Sequence, residues 1–326
     1  MFKQASSPIR TLVLVILLLG TFTACACFPP DSIPVSLLQT SDLAVDRTPR
    51  IAVATAYDPE FAALLPALQQ AREYRLNGVS YWTGEMSGQP VVLFKTGVSI
   101  VNATMNAQRL MDKFNITRIV ISGVAGGLDP AVSIGDVTVP RRWAKYDEAT
   151  YLRETEPGVF TAPFPGVSSL VEPYGFMGTR GSRIASSLNP RPSPQLWFDA
   201  DPKLLEIAAV AASQASLTQC DSQNLCLPET PEVLIGGSGV SGSVFMDNRS
   251  YRNYLYEIFN AEVVEMETAA IAMVAYANDV PFIAFRSVSD LAGGGEASQN
   301  EIRAFEHLAA QNSAELVTTF LKALSD

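Results

Sequence analysis

The side chains best equipped for chemistry in this chain are carboxylates. It has one histidine, His307, against 33 aspartates and glutamates, so proton transfer falls to the acids. Glu265 and Glu267 flank Met266 where the apolar pair Val263-Val264 runs into the helical stretch Thr268-Ala269-Ala270. Asp290 closes a second apolar run, after Phe285-Arg286-Ser287-Val288-Ser289. In open α/β sheets ligands bind beyond the carboxyl ends of the strands. An acid buried at such an end has its pKa raised and can hold a proton to donate. The pattern points to acid–base chemistry on a small molecule. Structural roles compete with it: Asp290 as a helix N-cap, Glu267 as an acid complementing a helix N-terminus, and Met266 as core filling.

Short apolar runs must carry these acids. Residues 51–54, 91–94, 119–121, 137–139, 233–235 and 282–285 read as buried strands. Between them, residues 59–71, 102–114, 202–213, 248–259, 267–278 and 301–324 have helical periodicity. Strands alternating with helices predict an α/β domain whose sheet is covered by helices on both faces. Residues 154–194 break the rhythm: rich in Pro, Gly and Ser, they read as an insertion beside a pocket mouth or a subunit interface.

The chain is 48% hydrophobic and 17% charged, which fits a globular protein. Its net charge of -10, with no basic stripe, argues against a nucleic-acid partner. Residues 1–27 read as an export signal. Lys3 and Arg10 precede the apolar run 11–20, which is short for a membrane span, and Ala24-Cys25-Ala26-Cys27 follows. Cleavage before Cys27, or lipidation of Cys25 or Cys27, are the alternatives beside an uncleaved anchor. Each places the main domain outside the cytoplasm, in the periplasm or facing outward on a membrane. Residues 28–50, with Pro29, Pro30 and Pro34, read as a tether to a domain spanning 51–326. In an exported protein, Cys220 and Cys226 are expected to form a disulfide pinning a polar loop. No Cys/His cluster suggests a metal, and no cofactor is expected.

Three glycine-bearing segments lie near strand ends: Thr96-Gly97-Val98, Gly123-Val124-Ala125-Gly126-Gly127-Leu128 and Gly236-Gly237-Ser238-Gly239-Val240-Ser241-Gly242. None has the spacing of a dinucleotide fingerprint or a Walker loop. These segments, with Asn102-Ala103, Ile134-Gly135-Asp136-Val137, Phe245, Val264-Glu265-Met266-Glu267 and Ser289-Asp290, occur in an order that resembles the nucleoside phosphorylase superfamily. The resemblance is greatest to its 5'-methylthioadenosine/S-adenosylhomocysteine nucleosidases and covers most of 51–326. It implies a single three-layer α/β domain with a central mixed sheet, a homodimer, and a purine nucleoside as ligand.

The same resemblance implies roles. Asp290 would protonate the departing purine, with Ser289 and Arg286 orienting or tuning it; Arg286 reads equally as a structural ion-pair partner. Glu60 would activate water, although Tyr57-Asp58-Pro59 precedes it where the family has a run of acids. Glu267 would hold both ribose hydroxyls, Met266 would pack on the sugar, and Glu265 is a weaker pocket candidate. Phe245 would stack on the purine and the Met246 backbone would bond its edge. Thr96 would face the ribose; Val124, Ala125 and Gly126 would approach by backbone. Ser99-Ile100 stands in place of the family's Gly-Lys, and Thr55 in place of a glycine, which leaves the 5' group of the substrate open. A phosphorylase is the first alternative, though no arginine occurs in 54–61 or 95–102 to hold phosphate. A nucleoside-binding or storage protein on the same scaffold is the second.

Overall fold

The computed structural model describes residues 44–324, except 167–168 and 297–298. The expected export signal, the two N-terminal cysteines and most of the expected tether lie outside the described residues. The elements run β1 (Asp46–Thr55), α1 (Asp58–Leu64), β2 (Gln69–Leu76), β3 (Val79–Met86), β4 (Gln89–Lys95), α2 (Ile100–Lys113), β5 (Phe114–Gly127), β6 (Val137–Val139) and β7 (Arg142–Lys145). They continue with β8 (Ala149–Tyr151), β9 (Arg153–Glu156), β10 (Val159–Thr161), β11 (Met177–Thr179), β12 (Trp197–Asp199), α3 (Pro202–Ala212), β13 (Val233–Ile235) and β14 (Gly239–Ser241). The last are α4 (Arg249–Phe259), β15 (Val263–Glu265), α5 (Thr268–Ala277), β16 (Phe282–Asp290) and α6 (Ile302–Ala323).

A mixed sheet holds the order β12-β7-β14-β15-β5-β1-β4-β3-β2, with β16 also paired to β5 and leading on to β6 and β13. Its central strands alternate between two cores. Ala52, Ala54, Ile119, Ile121 and Ala284 pack toward α2 and α5. Val53, Val120, Ile283 and Phe285 pack toward α1, α3 and α6. A strand buried on both faces must be apolar at every position, and β1 is buried from Ile51 to Thr55. The helices outside are capped locally: Asp201 accepts from the amides of Lys203 and Leu204 at the start of α3, and Asn248 from that of Tyr251 at the start of α4.

Four expectations need correction. The helix expected over 59–71 ends at Leu64, and Leu65-Pro66-Ala67 form one tight turn before the chain extends into β2. Pro66 removes a backbone donor, so the helix cannot continue. The tether expected to reach Arg50 is shorter, because β1 begins at Asp46 and pairs there with Phe114. The strand expected over 119–121 runs from 114 to 127, carrying the glycine segment inside it. Residues 154–194 are not featureless: β9 pairs with β10, and β11 returns to pair with β8. Cys220 and Cys226 form the expected disulfide.

Candidate active site

β5 and β16 lie side by side in parallel, with Arg286 opposite Gly123, Ser287 opposite Val124 and Val288 opposite Ala125. The register then slips, so that Asp290 rather than Ser289 stands opposite Gly126. Such an irregularity re-aims a side chain. Here Asp290 lines a cavity of about 200 Å³ at the strand ends. Glu60, Glu265, Met266, Glu267, Val124, Ala125, Gly126, Phe245, Met246 and Ser289 line the same cavity.

Behind the cavity sits Arg286, 1% exposed. One guanidinium serves three glutamates: Nη2 is 2.5 Å from Glu265 and 3.8 Å from Glu267, and Nη1 is 3.6 Å from Glu60. Of the two readings of Arg286, the structure shows the ion-pair partner rather than a group attending Asp290. A buried charge must be paired, and burial alone would lower the arginine's pKa; the three glutamates outweigh that and raise it. Gly123 makes the meeting feasible. A Cβ there would lie 2.0 Å from Arg286 Nη1 and 2.4 Å from Glu60 Oε1, so no other residue fits without displacing them.

The three glutamates are held differently. Glu265 accepts from the amides of Glu267 and Thr268, from the Thr268 and Ser241 hydroxyls and from Arg286. Its oxygens are engaged, so it fastens the start of α5 rather than facing a ligand. Glu60 takes the Ala56 amide on one oxygen at 2.5 Å and the Val124 amide on the other at 2.9 Å. Burial pushes its pKa up, and Arg286 with these amides pulls it back. Glu267 takes only the Ser99 amide, at 2.7 Å, as a hydrogen bond. Burial, then the neighbouring Glu265, pushes it up to about 8.

Asp290 has neutral partners only. Its Oδ1 accepts from the Ala292 amide at 2.9 Å and the Asn300 side chain at 3.1 Å, and its Oδ2 from the Ser289 hydroxyl at 2.9 Å. Burial raises its pKa and these three bonds offset part of the rise. The site thus holds an acid without a cation beside it, and carboxylates gathered on an arginine.

One further placement differs from expectation. Thr96 is fully buried and bonds the Thr55 carbonyl at 3.1 Å, tying β4 to β1 without lining the cavity. Phe245 is 53% exposed at the cavity rim, not packed in the core that its aromatic ring could also have filled. Tyr57, Val98, Val244 and Ile302 line the cavity and were given no role from sequence. Tyr57 was the most legible of them, since it follows β1 at a strand's carboxyl end; its hydroxyl donates to Glu306 at 3.1 Å.

The sequence profile of the phosphorylase superfamily matches residues 50–322. The chain belongs to this superfamily. It is 26% identical over 276 residues to a 5'-methylthioadenosine/S-adenosylhomocysteine nucleosidase of Tolumonas auensis, covering 84% of this chain and 100% of the relative. It is also 27% identical over 258 residues to bark storage protein A of Populus deltoides, covering 76% and 78%. Among solved structures it resembles the Neisseria meningitidis nucleosidase in complex with methylthio-immucillin-A, with a TM-score of 0.63 and 24% identity, covering 84% of this chain and 98% of that one. The mixed sheet between helical layers is the fold of these superfamily members.

Proposed function

We propose that this chain hydrolyses the N-glycosidic bond of a purine nucleoside, with an adenine nucleoside such as methylthioadenosine or S-adenosylhomocysteine as substrate. One observation carries the reading: Asp290, without a cation beside it, shares a cavity with Glu60 and Glu267, which converge on buried Arg286. Glycoside cleavage needs an acid on the leaving group and a base on water. Protonated Asp290 gives its proton to purine N7 as the C1'–N9 bond breaks and its electron pair moves to the base. The ribosyl cation left behind is attacked by water, whose proton goes to Glu60 as the new C1'–O bond forms. Glu267 holds the ribose diol through its two carboxyl oxygens, both acceptors when ionised and one of them a donor when protonated. Phe245 and Met246 enclose the base, and Met266 packs on the sugar.

The disulfide supports an oxidising compartment, and we place the domain outside the cytoplasm, on a lipid anchor or free, as a homodimer. A second reading, nucleoside binding without turnover, is favoured by the likeness to the bark storage protein. Chromatography separates the readings. The purified chain is incubated with methylthioadenosine, S-adenosylhomocysteine, adenosine and inosine, with and without phosphate. Free base in both conditions supports hydrolysis and ranks the substrates. Base only with phosphate makes it a phosphorylase, and intact nucleoside in both favours binding alone.

A further inference from the structure

A second cavity, of about 850 Å³, shares Val244, Phe245 and Met246 with the first. Its character is different. Tyr146, Tyr151, Tyr174 and Tyr251 line it, with Asp147 and Asp247, and no lysine, arginine or histidine does. Tyr174 meets Tyr251 edge-on with centroids 4.7 Å apart, and Tyr146 meets Tyr251 edge-on at 5.8 Å. The rings therefore stand at steep angles to one another instead of stacking flat. Segments flanking and within the unusual 154–194 region build one side, through Tyr151 on β8 and Met177 on β11.

Charge and hydrogen bonding narrow the ligand. Asp147 is paired with Lys145 at 2.7 Å and accepts from the Ser243 amide; Asp247 accepts only from the neutral Asn300 side chain, at 3.3 Å. One net negative charge remains at the cavity. Tyr146 is 1% exposed, and its hydroxyl has no hydrogen-bond partner. It sits against Gly242, where a Cβ would lie 2.6 Å from that oxygen. That oxygen is buried against the backbone, so Tyr146 contributes its ring to the wall and not its hydroxyl to the cavity. Aromatic faces gathered around a negative charge attract organic cations. A metal ion would need several oxygen ligands, and no such group occurs among the described residues.

We propose that this cavity binds a small organic cation, an alkylated ammonium. The tyrosine rings wall the cavity against the ammonium's methyl groups and Asp247 supplies the opposite charge. The site borders the first cavity through Val244, Phe245 and Met246, but its tyrosines and Asp247 take no part in the nucleoside chemistry, and the inference does not rest on that reading.

Isothermal titration calorimetry of the purified chain tests it, with choline as probe and 3,3-dimethylbutan-1-ol as its uncharged counterpart of the same shape. Saturable choline binding is expected, with the alcohol weaker by about tenfold or more, the scale of losing a cation–π contact at a desolvated site. Tyr174→Leu and Asp247→Asn should each weaken choline several-fold while leaving the thermal midpoint in place. Tyr151→Leu, at a ring that is 70% exposed, tests the same wall at a position where folding does not depend on burial. Three results would overturn the proposal: no saturable binding, equal binding of the alcohol, or choline binding indifferent to all three substitutions. So would choline binding that disappears as sedimentation shows a second copy of the chain closing the cavity.

Discussion

The two acidic regions of the cavity differ in what stands behind them. At Glu60, Glu265 and Glu267 a single buried guanidinium gathers three carboxylates. At Asp290 there are only an amide, a hydroxyl and a side-chain amide. Burial raises the pKa of Glu60 and of Asp290 alike, but only Glu60 has a cation pulling it back. The difference teaches how one sheet edge prepares a base and an acid from the same functional group: the position of one arginine, opposite Gly123 rather than Gly126, separates them.

The largest effects should come from removing the two ends of that contrast. Asp290→Asn should lower base release by about 10²–10⁴-fold, the usual worth of a positioned acid. It should also remove the alkaline limb of the rate profile, which arises as rising pH strips the proton from Asp290's raised-pKa carboxyl. A nucleoside analogue whose leaving group needs no protonation should escape most of this loss. Glu60→Gln should cost a similar factor of about 10²–10⁴ with little change in KM, and should remove the acid limb, where falling pH protonates the base. A rate unchanged by either substitution removes that residue from the chemistry.

Next comes the arginine. Arg286→Met should destabilise the chain by about 3–5 kcal/mol, because three buried glutamates lose their counter-charge; urea unfolding measures it. Asp290→Ala, with no ion pair to break, should cost less. Equal losses would erase the contrast between the regions.

The smallest effect concerns Glu267. Its folded pKa of about 8 lies above its ordinary 4.5. A group raised in this way contributes stability that is complete below about pH 4.5 and is lost as pH rises through 8. Glu267→Gln should therefore flatten the fall in stability across that window, while weakening nucleoside binding. Thermal midpoints from pH 4 to 9 check the slope; an unchanged slope would mean that Glu267 is not the group titrating there.

Much of this arrangement was legible in the sequence, for local reasons. Helices α2 to α6 fall within about two residues of their expected positions, because periodicity and caps such as Asp201 and Asn248 are encoded side by side. Strand-end acids were legible because a buried apolar run ending in a carboxylate is rare. The hairpins β2–β3 and β3–β4 were missed. Asn77-Gly78 and Ser87-Gly88, all with positive φ, mark their turns, and Asn-Gly is the strongest short-range hairpin signal available. Arg286's partners could not be read, since they depend on the register of β16 against β5 across 160 residues of intervening chain (roughly, by sequence separation). Nor could the need for glycine at 123, which exists only once two side chains from elsewhere converge above it.

The most direct test of the central claim is base release from methylthioadenosine by the wild-type chain in phosphate-free buffer, followed past one equivalent per chain. The account predicts continued release of adenine beyond that equivalent without phosphate. Nucleoside bound and recovered intact, or adenine appearing only once phosphate is added, would contradict it.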